Sequence, residues 1–135
     1  MIIVFLPTLP KAKMRIPVRF CISLMVFGLT DPTSAGAIEF SNPLFTDLYA
    51  QRTEKGSVSL VEALKVGAFI EEHDIADLER NLVEIENETL AKVYGNLLRG
   101  SKFHLKAFTN ALKIQGETYT PTVISVEAYN EIIGN

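Results

Sequence analysis

Apolar positions recur at helical spacing through much of the chain. Leu60, Leu64, Gly67, Ile75, Leu78 and Leu82 follow one another at steps of three, four or eight residues, the signature of one buried helix face. Ser59 and Glu62 ahead of that run form a capping box, so the pattern predicts a helix starting at residue 59 or 60 and reaching about Ile85. A second stripe, Leu90, Tyr94, Leu97, Ser101, His104, Phe108 and Leu112, predicts a helix from about Thr89 to Gln115, with Gly116 as its cap. Glu86, Asn87 and Glu88 are left as the turn between them. The two long helices are therefore expected to fold back on each other as an antiparallel hairpin.

Shorter elements flank the hairpin. Asn42 and Pro43 suit a helix start, Gly56 suits its end, and Leu44, Leu48 and Tyr49 would form its buried stripe. Pro121 keeps residues 117–124 extended rather than helical. Ser125 then caps a last short helix, Val126–Ile133, with Tyr129 and Ile132 or Ile133 turned inward. The expected fold class is all-α.

Residues 1–37 follow another pattern. An apolar start with two prolines gives way to Lys11, Lys13 and Arg15, then to an apolar run from Ile16 to Leu29, then to Ala35-Gly36-Ala37. That order imitates a secretory signal, although the basic region comes late and Arg19 interrupts the apolar run. The run is also too short and too interrupted for a membrane-spanning helix. The expected division is thus a signal-like or poorly ordered segment over 1–37 and a helical domain over 38–135. The location would be cytoplasmic, or exported if the first segment acts as a signal.

Charge sharpens the picture of the hairpin. Residues 60–86 hold eight acids against Lys65 and Arg80, whereas residues 89–115 hold five bases and no acid. Pairing the two helices brings opposite charges together, which favours one register more than it adds stability. Residues 41–135 carry nine bases and fourteen acids, and the chain has no Trp, so nucleic acid is not an expected partner. One cysteine, Cys21, excludes an intramolecular disulfide and any cysteine-cluster metal site. Glycine-rich phosphate loops, HExxH and a Ser/His/Asp order are all missing from the sequence.

Three polar residues stand where an ordinary core is apolar. Glu71 lies seven residues after Leu64 and four before Ile75, within the first stripe, and Asp74 follows one turn later. With the turn centred on Asn87, Glu71 comes level with His104 across the hairpin. Glu71, Glu72, Asp74 and Asp77 crowd into two turns and call for a positive partner. A carboxylate and an imidazole converging from different helices make half of a carboxylate-bridged metal centre. They also make an ordinary buried hydrogen bond, and the spacing alone does not separate the two readings.

The runs GLTDPTSAG (28–36), SLVEALKVGAFIEEHDIADLE (59–79) and YGNLLRGSKFHLKAF (94–108), with GETYTP (116–121), resemble the ferritin-like family catalogued as domain of unknown function 2202. The resemblance implies a four-helix ferritin-like bundle whose second half is this hairpin. It implies metal binding, iron of the di-iron type or another divalent ion, with Glu71 and His104 as ligands and Asp74 next to them. Residues 1–27 contain no Glu, Asp or His, so the first-half ligands of such a bundle are absent from them, and a truncated or frame-shifted member is expected. An incomplete bundle would expose an apolar face, and homodimerisation through that face is the expected partnership. The competing expectation is a non-catalytic helical structural or interaction domain without a metal site. No reaction follows from either.

Overall fold

The computed structural model describes Gly28 and residues 43–134. Apart from Gly28, the signal-like segment and the first stretch of resemblance lie outside those residues. Four helices follow in order among the described residues, without a strand: α1 (Pro43–Ser57), α2 (Leu60–Glu84), α3 (Glu88–Ile114) and α4 (Val126–Ile133). No helix of the described residues is long and apolar enough to cross a membrane.

Local chemistry sets the boundaries. The Ser59 hydroxyl accepts the N–H of Glu62 at 3.1 Å and starts α2. Asn87 accepts from the N–H groups of Thr89 and Leu90, both at 3.0 Å, so the expected turn residue is the cap of α3. Gly116, with φ of +77°, takes the left-handed conformation that lets the chain leave α3. Ser125 accepts the N–H of Ala128 and opens α4.

The centre is the antiparallel pair of α2 and α3. Leu64, Ala68 and Ile75 of α2 meet Leu105 and Leu112 of α3, with Tyr119, Tyr129 and Ile133 closing one end. Gly67 lets α3 come close, because a Cβ there would stand 2.6 Å from the ring edge of Phe108. Lys102 of α3 bonds Glu79 of α2 at 2.7 Å, the cross-hairpin charge pairing that the sequence predicts. On the other side of α2, Arg52 of α1 lays its guanidinium over the ring of Phe69, 3.8 Å from the centroid. The expected stripe of α1 rests partly on Leu44 and Leu48, whose side chains lie outside the description, while Tyr49 is half-buried.

The buried face of α3 matches the expected stripe at Ser101 and Leu112 and departs from it at His104. Ser101, Leu105, Thr109 and Leu112 are buried, and Leu98 and Phe108 pack beside them. His104, counted within the stripe, is instead exposed. Steps of three and four fit either arc, and the deciding factor is Leu105, which the packing buries completely.

Candidate functional site

Glu71 and His104 meet as the register predicts. His104 Nδ1 stands 3.2 Å from Glu71 Oε1 across the hairpin, thirty-three residues apart in sequence. The two side chains differ in environment: 15% of the Glu71 side chain is exposed against 59% for His104. The pair sits at the border of the packed interface rather than inside it. Burial pushes the Glu71 carboxyl above its ordinary range; the Ser101 hydroxyl and His104 act the other way, and the nearby Asp74 carboxylate adds to the rise.

Asp74 is buried one turn along α2, as its position in the stripe requires. It lies close enough to Glu71 to be felt electrostatically. Among the described residues, however, no group of three His, Cys, Asp or Glu side chains is arranged to hold a metal ion. Glu71 and His104 fit as two ligands from neighbouring helices. A complete set needs donors from beyond the described residues.

The most buried carboxylate was not singled out from the sequence. Glu72 is fully buried, next to Glu71 but on another side of α2. Its Oε2 accepts the phenol of Tyr119. Its Oε1 accepts the N–H groups of Thr122 and Val123 at 3.0 Å and of Ile124 at 3.2 Å. Successive backbone N–H groups of this kind form an anion-binding concavity, and here the anion belongs to the same chain. The segment after Gly116 packs on that side of α2, which takes Glu72 out of solvent. Burial, then the bond to Glu72, raises the Tyr119 phenol far above its ordinary value. With these partners Glu72 is an anchor for the loop. A signal for it existed in GETYTP: Pro121 leaves the loop amides without a regular ladder, and such amides need an acceptor.

His73 is exposed and meets Phe69 edge-on with ring centroids 4.5 Å apart.

Residues 18–135 match the model of the family described as uncharacterized protein domain DUF2202, and the chain belongs to that family. The matched range begins upstream of Gly28, where the quoted resemblance starts. The chain is 47% identical over 110 residues to the uncharacterized protein MJ0754 of Methanocaldococcus jannaschii, covering 81% of this chain and 60% of that protein. It thus spans about 60% of that relative's length. Its fold is similar to the crystal structure of hypothetical protein MJ0754 from Methanococcus jannaschii, with a TM-score of 0.83 at 44% identity. That likeness covers 87% of this chain and 68% of the other.

Proposed function

We propose that the α2–α3 hairpin is half of a ferritin-like bundle and that Glu71 and His104 are two ligands of a divalent metal, of the iron type, held in its interior. The observation carrying this reading is the Glu71–His104 pair itself, a carboxylate and an imidazole brought from two helices to 3.2 Å. The uptake of Glu71's proton affinity by burial supports it too: a carboxyl that is costly to ionise gains most from a cation. Asp74 is the next ligand along α2, or the acid that orients one. When bound, the metal would act as a Lewis acid or redox centre. The chain's own part is to hold a carboxylate oxygen and a ring nitrogen on the same side of the hairpin.

The second reading is a helical structural or interaction domain in which Glu71 and His104 serve as a hydrogen bond. It is favoured by the direct contact between the two side chains, which satisfies both without an ion.

Cobalt(II) titration separates the readings. Visible absorption bands that saturate with added Co(II), and vanish in Glu71→Ala and His104→Ala, support metal binding. A flat spectrum across the titration in the wild type sinks it.

A further inference from the structure

Of the seven asparagines in the chain, only Asn87 is followed two residues later by a hydroxyl residue, Thr89, and Glu88 rather than proline stands between them. Asn-x-Ser/Thr without a central proline is the acceptor sequence for N-linked glycans. So short a sequence is usable only where the fold presents it.

Here it forms the tip of the hairpin. α2 ends at Glu84 and α3 begins at Glu88. Glu86, Asn87, Glu88 and Thr89 are all exposed. The two ends of the Asn87 amide are used differently. Its Oδ1 accepts the N–H groups of Thr89 and Leu90, both at 3.0 Å. Its Nδ2, the atom that takes a sugar, donates to no group among the described residues. Capping thus fixes the side chain while leaving the nitrogen unengaged. A glycan on Nδ2 keeps Oδ1 in place, so the start of α3 survives the modification. Asn81 shows the contrast: it is half-buried and spends its Nδ2 on the carbonyl of Asp77 at 2.6 Å.

We infer that Asn87 is a site of N-linked glycosylation in an exported form of this chain. The route is the order of residues 11–37, basic, then apolar, then small, which imitates a secretory signal. In the transfer, Nδ2 bonds to the anomeric carbon of a lipid-linked sugar phosphate. The bond from that carbon to the phosphate oxygen breaks, the lipid phosphate leaves, and one Nδ2 proton passes to a base of the transferring enzyme. Thr89 supplies the hydroxyl by which the acceptor sequence is recognised. Glu71 lies roughly 24 Å away along the hairpin at 1.5 Å per residue, so the site stands apart from the Glu71–His104 pair and does not depend on the function proposed above.

The test is the mass of the tryptic peptide spanning residues 81–92, from the full chain recovered from its native cells, for wild type, Asn87→Gln, Thr89→Ala and Thr89→Ser. Thr89→Ala keeps the backbone N–H that Asn87 accepts, so circular dichroism should report an unchanged fold and a missing glycan is not a sign of misfolding. The expected wild-type peptide is heavier than its sequence by whole sugar units, with fragmentation placing the addition on Asn87. Asn87→Gln and Thr89→Ala should give the bare peptide, and Thr89→Ser should regain the addition. A bare wild-type peptide overturns the inference, whether the chain stayed inside the cell or crossed a membrane unmodified. So does an addition that survives Asn87→Gln, which places the sugar elsewhere, or one that survives Thr89→Ala.

Discussion

The phenol of Tyr119 donates to the carboxylate of Glu72, tying the segment after Gly116 to the middle of α2 across forty-seven residues. With the three amides of Thr122, Val123 and Ile124, this makes Glu72 the most heavily bonded side chain in the described structure. Glu72→Ala leaves the buried Tyr119 phenol and three part-buried amides without their acceptor and should cost about 3 kcal/mol in urea unfolding. Tyr119→Phe removes one bond and should cost about 1–2 kcal/mol. A Glu72→Ala protein as stable as the wild type would contradict this assignment.

The same pair predicts alkaline sensitivity. Tyr119 is raised in the fold, first by burial and then by Glu72. The unfolded phenol loses its proton near its ordinary value of 10.0 while the folded one keeps it. The stability this contributes is complete below that pH and declines as pH rises beyond it. Unfolding followed between pH 9 and about 11 should show wild type losing stability, and Tyr119→Phe losing less.

Glu71 carries a cost in the metal-free protein. Its carboxyl is raised by burial, so the penalty is absent below the ordinary value of 4.5 and grows as pH rises through the folded value. Glu71→Gln should therefore have a higher melting temperature than wild type at neutral pH without metal, with the difference closing in acid. A lower melting temperature would mean that the bond to His104 outweighs desolvation.

Two glycines of the hairpin should respond in opposite directions. A Cβ at Gly95 meets nothing within 4 Å, so Gly95→Ala should stabilise α3 by about 0.5–1 kcal/mol through helix propensity. At Gly67 the Phe108 ring is in the way, and overpacking of about 1–3 kcal/mol should exceed the same gain. Paired thermal melts decide it, and two variants moving together would argue against the close approach at Gly67.

Helix boundaries were legible because they are written in local chemistry. Ser59, Asn87, Gly116 and Ser125 each do the capping or turning that their residue type favours. The level of Glu71 with His104 was legible too, since equal rise in two helices joined by a short turn fixes it. Rotation about each helix axis was harder to read. His104 and Leu105 both continue a pattern of three and four, and the packing of α2 and α4 chooses Leu105. Glu72 was hidden for a related reason: its burial comes from a loop some fifty residues downstream, which no spacing within α2 reveals.

The most direct test of the central claim is the metal-to-protein ratio of freshly purified protein, measured beside Glu71→Ala and His104→Ala. The account predicts stoichiometric iron, manganese or zinc in the wild type and its loss in both variants. No metal in the wild type after anaerobic Fe(II) loading, or full metal in either variant, would contradict it.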